Sequence, residues 1–190
     1  MKSPANIFIF APSSNYDNIV GNNIQQNSAF GIWFDGSSNN NIVGNTIEQN
    51  AAYGIWLSSS SNNNIYHNNF ANNPQQTYST YDSYNVWNNS YSLGGNYWND
   101  YTGTDSNKDG IGDTAYVIDS NNVDNYPLMH PWKLGDTNYD GNVNVLDLIV
   151  TANAFGSRPG ESKWNPRADV KEDGLINVLD LITIAGKLGT

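Results

Sequence analysis

The sequence predicts two unlike units joined head to tail: an all-β right-handed parallel β-helix, present as terminal coils plus a cap over residues 1–132, and a small all-α unit over 136–190, with 133–135 as the junction. Three observations predict this. Residues 7–73 repeat with a constant step of 23, which puts Ile19, Ile42 and Ile65 in one column and Asn22, Asn45 and Asn68 in another. Two more columns follow at the same step: Ile24, Ile47 and Phe70, then Asn27, Asn50 and Asn73. Residues 136–147 and 169–180 write one acidic, glycine-centred loop twice, and each copy runs into a short apolar stretch. The composition also shifts near residue 133, which divides the 190 residues into two small domains.

A period in the low twenties, with short apolar pieces between Asn/Ser/Gly turns, signals a solenoid in which one coil alone cannot bury its face. Leucine-rich repeats share that period but need a Leu-x-x-Leu-x-Leu frame that is missing here, which leaves the parallel β-helix. Equivalent residues of successive coils then stack about 4.8 Å apart. Ile9, Ile32 and Ile55, with Phe34 and Leu57, alternate with period two and are expected to point inward. The Asn22/Asn45/Asn68 column is expected to form an amide ladder, because each side chain can both donate and accept along the stack. Alternation places Phe10, Trp33 and Trp56 on the outer face. Such a strip suits contact with a polysaccharide, since flat apolar rings match pyranose faces; a covering loop or further coils would account for it equally well.

Calcium takes six to eight oxygens, and an EF-hand loop supplies them from positions 1, 3, 5, 7 (a backbone carbonyl), 9 and 12, with glycine at 6. After Pro74 the repeat fades into Gly94-Gly95-Asn96-Tyr97-Trp98, and then comes a loop that follows part of this pattern. Asp105, Asn107, Asp109, the Ile111 carbonyl and Asp113 fall at positions 1, 3, 5, 7 and 9, while Tyr116 replaces the carboxylate at 12. A structural calcium pinning the cap is the expectation there. The glycine-aromatic run, this loop and the ending Tyr126-Pro127-Leu128-Met129-His130-Pro131-Trp132 together resemble the C-terminal end of NosD-like parallel β-helix repeat proteins, over about residues 7–132. The resemblance implies a cap over the last coil, and it implies copper delivery. Copper sites need clustered His, Cys or Met, however, and the candidates are only His67, Met129 and His130, expected as a turn residue and two cap residues.

The duplicated tail fits the calcium pattern more fully. Its first copy offers Asp136, Asn138, Asp140, the Asn142 carbonyl, Asn144 and Asp147, with Gly141 at position 6. The second offers Asp169, Asp173, the Leu175 carbonyl, Asn177 and Asp180, but places Lys171 at position 3. An ammonium is a donor only and cannot ligate calcium, so the second site is expected to be weaker, with water or Glu172 standing in. Two calcium ions are expected in the tail. Leu148, Phe155, Leu181 and Leu188 recur at spacings suited to packing two short helices together. The half EF-hands, Val143 and Ile176 at position 8, the Asn-x-x-Asp endings and the duplication resemble a type I dockerin over about residues 135–190. The resemblance implies a calcium-folded module that docks onto a cohesin domain of another protein. Its recognition positions would be Val145, Leu146, Ala152 and Asn153 in one half and Val178, Leu179, Ala185 and Gly186 in the other. Because both halves carry the same Val-Leu pair, binding in two orientations is expected.

Net charge is −10, which argues against nucleic acid or an anionic membrane as partner, and there is no cysteine for disulfides or thiolate chemistry. No apolar run approaches a membrane span, and the four-residue run near the N-terminus is too short for a signal-peptide core, so the chain reads as a fragment of a longer secreted protein. Calcium loops of modest affinity suit an extracellular or cell-surface location. Apart from Lys2 there is no Lys or Arg up to Asn107, which leaves a lyase without its base, and Asp17, Asp35 and Glu48 fall in different columns and form no hydrolytic pair. The expected role is therefore non-catalytic calcium-dependent assembly; the alternative is a fragment of a polysaccharide-degrading β-helix hydrolase anchored through its tail.

Overall fold

The computed structural model describes residues 7–190, so Lys2 lies outside the described residues. Three successive coils each contribute three strands: β1 (Ile9–Pro12), β2 (Asn18–Val20) and β3 (Asn23–Gln25); β4 (Phe30–Asp35), β5 (Asn41–Val43) and β6 (Thr46–Glu48); β7 (Tyr53–Ser58), β8 (Asn64–Tyr66) and β9 (Asn69–Ala71). β10 (Gln75–Ser79) begins a further turn that the cap then replaces. Three parallel sheets result, ordered β1-β4-β7-β10, β2-β5-β8 and β3-β6-β9-β11, where β11 is Tyr97–Trp98. Their register is the one the 23-residue step demands: Ile9 beside Ile32, Ile19 beside Ile42, and Ile24 beside Ile47.

Each coil sends an isoleucine or its equivalent inward from every sheet. Ile24, Ile32, Ile42, Ile47, Ile55, Leu57, Ile65 and Phe70 are all fully buried. Asparagines hold the corners. Asn22 Nδ2 donates to Asn45 Oδ1 (3.1 Å), Asn45 Nδ2 to Asn68 Oδ1 (2.9 Å) and Asn68 Nδ2 to Asn96 Oδ1 (3.0 Å), so the ladder runs into the cap. Parallel ladders run through Asn27, Asn50 and Asn73 and through Asn40, Asn63 and Asn85. Gly54 makes room for one of these, because a Cβ there would meet the Gln76 carbonyl and the Asn73 amide nitrogen.

The cap closes the open end of this core. Trp98 lies between Phe70 (4.4 Å, 7° between planes) and Tyr116 (4.2 Å, 7°). The short helix α1 (Ser90–Leu93) and the antiparallel pair β12 (Tyr116–Asp119) and β13 (Asn122–Asp124) complete it. The Asn ladder ends on Asp124, whose Oδ2 accepts the Asn96 N–H (2.7 Å) and the Trp98 Nε1–H (2.9 Å). Burial pushes Asp124 up to about 6, against these donors.

The tail holds two helices, α2 (Val145–Asn153) and α3 (Val178–Ala185). They are related by repeated pairing: the position-8 residue of each loop bonds to the segment after the other half's helix. Gly189 donates to the Val143 carbonyl (2.9 Å), and Gly156 to the Ile176 carbonyl (2.8 Å). Val143, Ile176, Ile184, Ala154 and Ala168 form the buried interior, with Trp164 packed against Ala154, Ala168 and Ile176. Expected helix packing by Leu148, Phe155, Leu181 and Leu188 holds only in part. Phe155 and Leu188 fall beyond the helix ends and are exposed, whereas Leu148 and Leu181 are half-buried.

Candidate metal loops and docking face

Three loops share one backbone path. Position 4 is left-handed in each (Lys108 φ 60, Tyr139 φ 60, Glu172 φ 54), and position 6 is a left-handed glycine (Gly110 φ 84, Gly141 φ 86, Gly174 φ 78). The first carboxylate straddles the turn in all three. Asp136 accepts the N–H groups of Asp140 (3.2 Å) and Gly141 (2.9 Å); Asp169 accepts those of Asp173 and Gly174; Asp105 accepts those of Asp109 and Gly110. Asp140, Asp173 and Asp109 each accept the N–H two residues on, from Asn142, Leu175 and Ile111.

The ends of the loops differ in a chemically informative way. In the tail, position 12 reaches back to the loop start, where Asp147 accepts the Thr137 N–H (2.7 Å) and Asp180 the Lys171 N–H (3.1 Å). The same carboxylates accept the N–H of position 9, while Asn144 and Asn177 cap the following helices through Leu146 N–H (2.8 Å) and Leu179 N–H (2.7 Å). The position-9 side chains are thus committed to helix capping and could serve a metal through water. In the cap loop Asp113 takes over the closing role, accepting from the Ser106 N–H (2.9 Å), and hydrogen bonds from Ser106 hold its carboxyl below the usual carboxylate range. Tyr116, at position 12 of that loop, instead bonds Asp100.

Among the described residues no group of three or more His, Cys, Asp or Glu side chains is gathered to hold a metal ion. Seven of the sixteen expected oxygen donors are amide side chains or backbone carbonyls, and each of the nine carboxylates is engaged by backbone N–H groups. The donor set of the first tail loop nonetheless fits a hard cation. Burial pushes Asp136 up to about 6, opposed by the Gly141 N–H and reinforced by the charges of Asp147 and Asp140, and a bound cation would relieve that repulsion. Asn138, Asp140 and Asn142 complete the arc. The second loop has the same path but no side-chain oxygen at Lys171.

Beyond the loops, α2 and α3 present matching apolar faces to solvent. Val145 is 62% exposed, Leu146 51%, Val178 53% and Leu179 52%. Sequence reasoning missed their companions Ile149 and Ile182, one turn further on and equally exposed, which the i, i+4 spacing from Val145 and Val178 could have indicated. Leu148, Ile149, Ala152, Leu181, Ile182 and Ala185 line one wholly apolar groove between the helices. Asn153 and Gly186 stand at the helix ends, also exposed.

The outer strip of the β-helix is continuous: Phe10 and Trp33 lie 4.6 Å apart and Trp56 and Tyr78 4.5 Å apart, with Phe30 and Tyr53 packed beside them. The rings pack tilted, with 43° between the planes of Phe10 and Trp33 and 35° between those of Trp56 and Tyr78; Phe10 is exposed and Trp33 and Trp56 are half-buried.

The family described as "Periplasmic copper-binding protein (NosD)" matches residues 3–103, and the "Dockerin type I domain" matches residues 134–189. No curated protein and no solved structure matches the chain. The residues present do not fit copper. The chain has two histidines, two methionines and no cysteine, and His67 is buried with Nε2 on the Leu93 carbonyl (2.5 Å), its ring stacked on Trp132. His67 is pushed down to about 4 by burial, so it is a neutral packing residue at a turn where the two preceding coils carry Gly21 and Gly44. The three-coil solenoid with its asparagine ladders and the doubled loop-helix tail agree with both matches: the chain belongs to the NosD family, and it carries a type I dockerin domain over residues 134–189.

Proposed function

We propose that this chain is a non-catalytic, calcium-dependent assembly protein that works outside the cytoplasm. A type I dockerin implies cohesin-mediated assembly. The observation that carries the reading to particular residues is the pair of matched, exposed faces, Val145-Leu146-Ile149 and Val178-Leu179-Ile182. Each is a contiguous exposed apolar patch of the kind that marks a protein-contact surface. Neither face is covered by the β-helix, so a cohesin can be gripped through either helix, in two orientations.

Two calcium ions in the tail, the second held more weakly beside Lys171, and a third in the cap loop make up the proposed metal content. Bound calcium supplies a cross-link between the start and end of each loop. The chain contributes the rest: Asp136 and Asp169 fix the turn, Asp147 and Asp180 tie it to the helix start, and Asn144 and Asn177 cap the helix that carries the docking side chains.

The solenoid serves as scaffold. A scaffold role is supported by the spread of the coil acids over the three sheets: Asp17 precedes β2, Asp35 ends β4 beside Pro12 and Ser58, and Glu48 lies on β6 beside Gln25 and Ala71. Polysaccharide contact at Phe10, Trp33 and Trp56 would use the part of each tilted ring that stays open to solvent. Calorimetric titration of the full chain with a panel of cohesins, in calcium and in excess EDTA, tests the reading. Binding that needs calcium is expected; a cohesin complex equally tight in EDTA, or no cohesin bound at all, would overturn it.

A further inference from the structure

The two halves of the dockerin differ at a position that contributes no oxygen to the loops. Position 4 is Glu172 in the second loop, exposed to solvent, but Tyr139 in the first, where only 8% of the residue is accessible. What buries Tyr139 is the β-helix cap. Its hydroxyl donates to the Leu93 carbonyl (2.8 Å), the same oxygen that His67 Nε2 reaches from the third coil. Its backbone and Cβ lie so close to Gly110, in the cap loop, that any side chain at Gly110 would collide with them.

Arg167, two residues before the second loop begins, closes the seam from the other side. Its guanidinium lies 4.0 Å from the Tyr139 ring centroid, Nε donates to the Ser92 carbonyl (2.7 Å) and Nη1 donates to the Asp109 carbonyl (2.9 Å). Asn69 holds the junction by both its amide atoms, accepting from Trp132 N–H (2.6 Å) and donating to the Trp132 carbonyl (3.0 Å). The cap loop and the first tail loop therefore meet at one seam, bridged by a buried aromatic and by a cation that comes from the segment just before the second tail loop.

We propose that Tyr139 and Arg167 lock the dockerin onto the β-helix cap, making one cooperative unit rather than two domains on a tether. Any protein gripped by α2 or α3 is then held at a fixed angle to the solenoid axis; that last consequence rests on the docking reading above, while the lock itself does not. The lock also makes the ordering of the first dockerin loop and of the cap a single event, because Tyr139 of the one packs on Gly110 of the other and Arg167 holds both Tyr139 and the Asp109 carbonyl.

The test uses the full chain in saturating calcium, with Tyr139→Glu, which copies the second loop's own residue, and Arg167→Met, which keeps the stem and removes the donors. Scanning calorimetry should show one transition for the unaltered chain and two for the variants. Trypsin cleavage after Lys133 should run about tenfold faster in the variants, as the junction opens locally. Two transitions in the unaltered chain would overturn the proposal, as would a single transition and unaltered cleavage in both variants. Separation by either variant supports it, and the calcium stoichiometry of each, read by titration, shows that the loops still fold. Cohesin binding is measured alongside: its absence with the single transition intact removes the docking reading and leaves the lock standing.

Discussion

Replacing Asn45 by alanine tests whether the buried amide ladder holds the solenoid together. Asn45 is fully buried and sits mid-ladder. Its Oδ1 accepts from Asn22 N (2.9 Å) and Nδ2 (3.1 Å); its own Nδ2 donates to the Ile19 carbonyl (2.8 Å), to Asn68 Oδ1 (2.9 Å) and to the Val43 carbonyl (3.2 Å). Alanine keeps the Asn45 N–H on Asn68 Oδ1 and leaves Asn22 Nδ2 on the Val20 carbonyl (3.2 Å), but it strands the Asn22 N–H and takes one donor from the Ile19 carbonyl, which keeps its place in the β2–β5 ladder. At roughly 1 kcal/mol for the stranded, half-exposed Asn22 N–H and about 0.5–1.5 kcal/mol for the lost bond to the Ile19 carbonyl, the cost is about 1.5–2.5 kcal/mol. Asn41 is the internal control, since it belongs to a ladder of the same chemistry (Asn41 Nδ2 to Asn18 Oδ1, 2.8 Å; Asn64 Nδ2 to Asn41 Oδ1, 2.9 Å) that faces solvent. Asn41→Ala should cost less than about 0.5 kcal/mol. Urea denaturation in calcium gives both numbers, with an unchanged m-value confirming that the same surface is exposed. Equal losses from the two variants would refute the reasoning, because burial is then not what makes the ladder stabilising.

Two buried titratable groups should give opposing pH effects. His67, held down to about 4 against 6.5 in the unfolded chain, stays neutral while the unfolded chain takes up a proton, so it withdraws up to about 3 kcal/mol of stability as pH falls from 6.5 to 4. Asp124, raised from 3.8 to about 6, binds its proton more tightly when folded, so stability falls by about 3 kcal/mol as pH rises across that interval. Urea midpoints of His67→Gln and Asp124→Asn against pH should therefore diverge from the parent in opposite senses; parallel curves would remove both assignments. Replacing Val145 and Leu146 together by Ala, or Val178 and Leu179 together, should each leave cohesin affinity within about threefold, whereas the fourfold variant should lose about 100-fold or more, in line with interface anchors worth ~1–2 kcal/mol each. Asp147→Ala removes both a loop oxygen and the Thr137 and Asn144 contacts, and calorimetric titration should register one fewer calcium site.

The β-helix was legible because its physics is periodic. A coil that stacks in register must repeat its inward residues, and Ile19, Ile42 and Ile65 or Asn22, Asn45 and Asn68 reveal both the step and the pairing before any coordinates are known. The tail was legible for a related reason, since each loop copy checks the other. The helix interior was read less well: Phe155 and Leu188 look like core by spacing, yet each falls just past a helix end, and Val143, Ile176 and Ile184 fill the space instead. Spacing identifies a face only while the helix continues, and helix ends are weakly encoded.

The seam between the units had no such signature. His67 and Tyr139 lie 72 residues apart and belong to different repeats, so neither the 23-residue step nor the loop pattern relates them. Each is nevertheless a departure from its own register. His67 occupies the left-handed turn that Gly21 and Gly44 fill in earlier coils, and Tyr139 stands where the sister loop has a solvated glutamate. A repeat fixes what every copy must do to stack or to fold. Where one copy places a bulky, hydrogen-bonding ring at a position its sisters leave small or charged, the repeat itself does not need that ring, and a contact from outside the repeat has to account for it. Here the two exceptions meet on the same Leu93 carbonyl, where the last coil, the cap and the first dockerin loop come together.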